Sequence, residues 1–257
     1  MERISRVLRA MPMHDECANS SGSIADRGRA PGGLLIVVGG IGGLDWCGIA
    51  VRHVVKVVRM PYSVQLFPWG HGFLRWHADL TNVTNRDARA EVLAEKFRRF
   101  KTDHPRSPVV MVAKSGGAGV GVKALELLDP ETVERAVLLA PALSPRYDLT
   151  VALRAVRREM VVFWSPLDVV ILGLGTRLFG TTDRVRTASA GLVGFQIPTA
   201  LAQDPNRNRE YRKLRQIRWH PRMATTGNFG GHLGPDCPFF LKKYVVPLLQ
   251  FDETAIS

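Results

Sequence analysis

An α/β fold, with a mostly parallel sheet of about six strands and helices on both faces, is predicted by three features of this 257-residue sequence. Apolar runs such as "LLIVV" and "PVVMVA" show no polar alternation, as strands buried on both faces do. Each run is followed by a stretch with helical spacing, and strand–helix alternation implies right-handed crossovers into one sheet. Glycine-rich segments, "GGIGG" and "SGGAGVG", follow two of the runs, where open parallel sheets bind ligands beyond the carboxyl ends of their strands.

The elements follow in order. "LLIVVGG", from Leu34 to Gly40, reads as the first buried strand. "DWCGIAVRHVVKVVR" predicts a helix packing through Trp46, Ile49, Ala50, His53, Val54 and Val57. "YSVQLFPWG" is the next strand, and "RDARAEVLAEKFRRF" a helix with Leu93, Phe97 and Phe100 at i, i+4 and i+7. Then come the strand "PVVMVAK", a helix beginning just after Ser115, the strand "RAVLLAPA", the helix "DLTVALRAVRR" and the strand "MVVFWS". "LRQIRWHP" is expected to be the last strand, and "CPFFLKKYVVPLLQ" a closing helix cut short by Pro247. Residues 1–31 lack an apolar segment long enough for a secretory signal and are expected to be a flexible extension. Residues 32–257 then form one domain. The long, apolar segment 169–208 is expected to be a lid-like insertion over a site.

Composition narrows the function classes. Hydrophobic residues make up 46% of the chain, enough for a sizeable core. The 35 Lys and Arg against 23 Asp and Glu give a net charge of +12. The basic residues are dispersed, however, and the densest run, "NRNREYRKLRQIR", reads as a solvated face, so no nucleic-acid partner is expected. No apolar run is long enough to span a bilayer. Cys17, Cys47 and Cys237 lie far apart with no CxxC pair or metal-ligand spacing, so neither a metal nor a disulfide framework is expected and a reducing, cytoplasmic setting is favoured. "GGAGVGVK" misplaces the lysine of a phosphate-binding loop, and the dinucleotide fingerprint fails at Val122 or at Asp45, so no nucleotide cofactor is expected.

A different chemistry fits Ser115. A strand–turn–helix can hold a serine in a strained conformation with its Oγ projecting, provided the residues two before and two after are small. Here they are Ala113 and Gly117. Ser115 alone reads equally as a helix N-cap. Its candidate partners distinguish the two: a base to take the serine proton and a carboxylate to orient that base, in the chain order Ser, Asp or Glu, His. "MVVFWSPLD" puts Asp168 just past a strand end, and "GNFGGHLG" puts His232 among glycines after the last strand. Asp183 and His71 are rival members, but His71 precedes the serine.

In "AKSGG", "SPLD" and "GGHLG" the chain resembles the α/β-hydrolase superfamily, over roughly Gly32 to Gln250. The resemblance implies that Ser115 is the nucleophile, Asp168 the acid and His232 the base. It also implies oxyanion donors at the Gly116 N–H and in "GGIGG", at Ile41 or alternatively Gly40. Two positions depart from the family pattern: Ala113 stands for the first glycine of the serine turn, and Gly39-Gly40 for a His-Gly dipeptide at the oxyanion loop. The function so implied is a serine hydrolase cleaving a small-molecule carboxylic ester with an apolar acyl group. The apolar 169–208 segment, with Leu172, and the aromatics Trp46, Trp69, Phe73 and Trp76, with His71, are expected to supply the pocket. Alternatives are a non-catalytic binding protein of the same fold, or an amide or thioester hydrolase.

Overall fold

The computed structural model describes residues 32–41, 45–70, 83–199 and 204–250. Its centre is a six-stranded sheet in the order β2-β1-β3-β4-β5-β6, with every neighbouring pair parallel. The strands are β1 (Leu34–Val38), β2 (Ser63–Phe67), β3 (Val109–Lys114), β4 (Val133–Leu139), β5 (Val156–Trp164) and β6 (Leu214–Arg218). The expected strand number and parallel arrangement are both found.

The alternation of side chains across each strand explains why helices must cover both faces. Leu34, Ile36 and Val38 point into one apolar layer with Met111 and Ala113, where α2 (Val83–Asp103) contributes Ala90, Leu93, Ala94 and Phe97. Leu35 and Val37 point into the other, with Val110 and Val112, against α1 (Trp46–Val57) and the C-terminal segment carrying Phe240, Leu241 and Val245. The helix after Ser115, α3 (Gly116–Leu125), is almost wholly buried in the first layer.

Three expectations about elements are corrected. The helix α1 packs through Cys47, Gly48, Val51, Val54 and Val55, leaving Trp46 61% and Ile49 50% exposed. Apolar residues run most of the way round this helix, so periodicity alone does not choose the face. Packing of Val51, Val54 and Val55 against the Leu35 and Val37 side of the sheet makes the choice, and the Asp45 carboxylate caps the start of the helix by accepting from the Gly48 N–H at 2.7 Å. The helix after β4 is only α4 (Thr150–Ala155): Val156, expected to be helical, already pairs with Val133 in β5. The closing segment is not one helix but a short helical turn (Pro238–Phe240), a wide turn (Leu241–Val245) and a last turn (Val246–Leu249). Pro247 has no N–H to give the carbonyl four residues back, and the widened turn before it accommodates that loss. The expected extension 1–31 lies outside the described residues.

From β1 the chain passes to β2 on one side and then to β3 on the other. The order therefore reverses between β1 and β3, and such a switch point opens a crevice at the carboxyl ends of the two strands. Val38 pairs with Ala113 and Lys114 with Leu139, so Gly39–Ile41, Ser115 and the start of the 140–145 loop emerge along one edge.

Candidate active site

Ser115 sits where β3 runs straight into α3, with φ 51° and ψ −123°. A non-glycine residue in this region carries strain of about 1–3 kcal/mol and persists only where its surroundings hold it. They do so through three backbone hydrogen bonds. The Ser115 N–H donates to the Leu139 carbonyl (3.0 Å), and the Ser115 carbonyl accepts from the N–H groups of Ala118 (3.1 Å) and Ala142 (3.1 Å). The Ser115 side chain makes no capping hydrogen bond to α3, which removes the N-cap reading.

The small residues around it are required sterically. A Cβ on Gly117 would lie 2.1 Å from the Gly39 carbonyl oxygen and 2.6 Å from that of Val38. Both obstacles are backbone, so Gly117→Ala forces β1 and α3 apart. We expect it to cost about 3 kcal/mol, read as a lowered denaturation midpoint at unchanged m-value. At the other departure-prone position, the methyl of Ala113 is tolerated because Gly121 faces it: a Cβ there would stand 3.2 Å from the Ala113 Cβ.

Asp168 lies in the turn after β5, where its N–H donates to the Ser165 carbonyl at 3.2 Å, and it is 3% exposed. His232 lies in the loop after β6. That loop is shaped by Asn228, whose Oδ1 accepts from the Gly230 N–H (3.0 Å) and whose carbonyl accepts from Trp219 Nε1 (2.8 Å). Gly230 adopts φ 86°, and a Cβ on it would meet Leu167 and Ser165 at 2.8–3.0 Å. The histidine loop can therefore press directly on the aspartate turn.

The three side chains, 117 and 64 residues apart in sequence, meet in a row. His232 Nε2 is 2.9 Å from Ser115 Oγ, and His232 Nδ1 is 2.6 Å from Asp168 Oδ2. An ionised carboxylate only accepts, so Nδ1 carries the proton and donates to Asp168. Nε2 is then the acceptor for the Ser115 hydroxyl. The imidazole side chain is 16% exposed. Asp183, the rival carboxylate, is engaged elsewhere: it accepts from the backbone N–H of Ser144 at 2.8 Å and from its hydroxyl. The rival His71 lies outside the described residues, as do Phe73 and Trp76.

Gly40 and Ile41 are close to the serine turn. A Cβ on Gly40 would be 3.6 Å from Ser115 Cβ, and Ile41 Cγ2 would lie 2.6 Å from a Cβ on Gly116. As the first residue of α3, Gly116 has an N–H with no partner inside the helix. Trp69 is buried against the same loop, its Nε1 donating to the Gly39 carbonyl at 2.8 Å.

A cavity of about 410 Å³ opens at Ser115. Ile41 and Ala142 line it together with Leu172, Leu174, Leu178 and Phe179. Among the described residues of the segment expected to form a lid, those within 170–179 reach this cavity. Residues 190–196 are tied to the body: the N–H groups of Ala190, Gly191 and Gln196 donate to the carbonyls of Leu143, Pro141 and Pro145 at 2.7–2.8 Å. Those bonds make residues 190–196 part of the wall of the fold. Trp46 does not line the Ser115 cavity. It borders a separate groove with Ile49, His53 and Leu233, a consequence of the rotated packing face of α1.

Sequence reasoning missed Lys114 and Asp236, which form a buried ion pair directly behind this row. The signal was present: a lysine ending an otherwise apolar strand is almost never buried unless paired. Burial pushes the Asp45 carboxyl above the usual range, and pushes the Cys47 thiol well up. Among the described residues no three His, Cys, Asp or Glu side chains are grouped to hold a metal ion, and no helix is long and apolar enough to cross a membrane.

No protein-family model matches the chain, and no curated protein matches it in sequence. Similar solved structures include a cutinase-like protein from Cryptococcus sp. (13% identity, 84% of this chain and 94% of that one, TM-score 0.44). They also include the catalytic core domain of an acetyl xylan esterase from Trichoderma reesei (14%, 74% and 84%, TM-score 0.39). A third is a cutinase from Trichoderma reesei in complex with a phosphonate inhibitor (12%, 86% and 77%, TM-score 0.38). Likeness at this level carries no argument about the reaction. The parallel sheet with helices on both faces is established by the strand pairing itself, in agreement with the α/β-hydrolase resemblance of the sequence.

Proposed function

We propose that this protein is a serine hydrolase that cleaves carboxylic esters with an apolar acyl group. One observation carries the reading: a single imidazole contacts both a strained, buried serine hydroxyl and a buried carboxylate. In this mechanism Ser115 Oγ attacks the ester carbonyl carbon while His232 Nε2 takes the hydroxyl proton. Asp168 holds the imidazole tautomer and stabilises the imidazolium. The carbonyl oxygen becomes an oxyanion, for which the Gly116 N–H and the N–H of Ile41, with Gly40 beside it, are the donors, each worth about 3 kcal/mol. His232 then returns the proton to the departing alkoxide. A water, deprotonated by the same nitrogen, releases the acid and regenerates Ser115.

The cavity supports an apolar acyl group, because among the described residues its lining is mostly aliphatic and aromatic, with the hydroxyls of Ser115 and Thr176 and no charged side chain. A buried methylene contributes about 0.8 kcal/mol, or about fourfold in kcat/KM if the acyl chain enters this cavity. On a series of p-nitrophenyl esters, kcat/KM is therefore expected to rise by about 15-fold from acetate to butyrate. Highest turnover on acetate, falling with each added methylene, would place the acyl group elsewhere. No turnover on any ester of the series would favour a non-catalytic binding protein.

A further inference from the structure

Lys114 is the last residue of β3 and directly precedes Ser115, while Asp236 ends the turn Gly234–Asp236, four residues beyond His232. Their side chains form an ion pair across 122 residues of sequence, and they are only 6% and 12% exposed. Lys114 leaves the strand on the side of Val110 and Val112, away from the cavity, so it is not itself a group that meets substrate. Its place is fixed by the sheet, where it pairs with Leu139. Asp236 is fixed differently. Its buried carboxylate is held by Lys114, with the Cys47 thiol against it as a further, weak hydrogen-bond donor.

A push at Asp236 is passed to His232 through a short, bonded stretch of chain. The Asp236 N–H donates to the Leu233 carbonyl (3.0 Å), and the Gly234 N–H donates to the Gly231 carbonyl (3.0 Å). Glycines flank His232 and offer no side-chain packing of their own, and Leu233 is 70% exposed. Asn228 shapes the start of the loop, and the Lys114–Asp236 pair anchors its far end. A buried ion pair is weak evidence for stability, since apolar residues of similar size often replace it at no cost, whereas its directionality can specify one arrangement.

We propose that the buried Lys114–Asp236 pair is a positioning device that holds the His232 loop at hydrogen-bonding distance from Ser115. It ties the strand end that presents the hydroxyl to the loop that presents the imidazole. The proposal rests on the serine-hydrolase reading. A displacement of about 1 Å at reacting groups costs on the order of 100-fold in rate, so the pair acts on kcat and not on substrate binding.

The test compares wild type, Asp236→Asn and the double variant Lys114→Met/Asp236→Leu, which removes both charges and refills the volume. Melting temperature, kcat and KM on p-nitrophenyl butyrate, and the low-field proton resonance of the His232 Nδ1–H are read together. The double variant is expected to melt near wild type, to lose roughly 10- to 100-fold in kcat at unchanged KM, and to lose or broaden the imidazole resonance. Asp236→Asn, which keeps shape and one hydrogen bond, is expected to fall between. Wild-type kcat per folded molecule with an intact resonance, in the double variant or in Asp236→Asn if the double variant does not fold, overturns the proposal. Ester turnover that survives Ser115→Ala would instead refute the hydrolase reading, and the imidazole resonance alone would then decide whether the pair positions the loop.

Discussion

Ser115→Ala is expected to abolish ester hydrolysis, lowering kcat by on the order of 10⁴- to 10⁶-fold while the fold is kept. The size of the loss follows from what the hydroxyl does. It is hydrogen-bonded to His232 Nε2, and it stands at the mouth of an apolar cavity beside the Gly116 N–H. Removing it leaves the base without its proton donor and the cavity without an attacking atom, while the backbone donors remain. Stability is expected to hold because the side chain makes no capping bond to α3, and the strained φ of 51° is maintained by backbone hydrogen bonds that alanine keeps. The measurement is kcat on p-nitrophenyl butyrate with thermal denaturation as control. Turnover within tenfold of wild type would remove Ser115 from the chemistry.

Asp168→Asn is the second large effect, about 10³- to 10⁴-fold in kcat with KM little changed. The amide is nearly the same shape as the carboxylate, so the turn after β5 survives. What changes is the proton on the imidazole. The carboxylate accepts from Nδ1 at 2.6 Å and thereby leaves Nε2 free to take the serine proton. An asparagine can turn its NH₂ toward Nδ1, which makes Nδ1 the acceptor and puts the proton on Nε2, the wrong nitrogen for a base. The imidazolium formed during the reaction also loses its counter-charge. Asp183→Asn makes the control: its carboxylate is committed to Ser144, so turnover there is expected to stay near wild type.

Much of this was legible in the sequence because burial on both faces leaves a plain pattern. The runs "LLIVV" and "PVVMVA" mark β1 and β3 without ambiguity, and glycine clusters mark where they end. The Ser115, Asp168 and His232 positions were legible for the same reason, since each follows a strand whose carboxyl end faces one edge of the sheet. Tertiary pairing decided the rest. Periodicity does not choose the face of α1, because its apolar residues nearly encircle it, and Trp46 therefore borders a separate groove and not the Ser115 cavity. The apolar character of residues 169–208 suggested a lid. Yet Ser189, Ala190 and Leu192 are apolar or small because they are buried against the body of the domain, and among the described residues of the segment the stretch 170–179 faces the cavity. Lys114–Asp236 was hidden because a pair 122 residues apart has no local signature beyond a charge at the end of a buried strand.

The reaction of the protein with a fluorophosphonate probe, followed by peptide mass spectrometry, tests the central claim most directly, because it asks whether His232 activates the Ser115 hydroxyl without requiring the natural substrate. One adduct per chain on Ser115 is predicted, absent in Ser115→Ala and formed orders of magnitude more slowly in His232→Ala. A folded protein that takes up no probe, or takes it up at another residue with Ser115 unmodified, would contradict it.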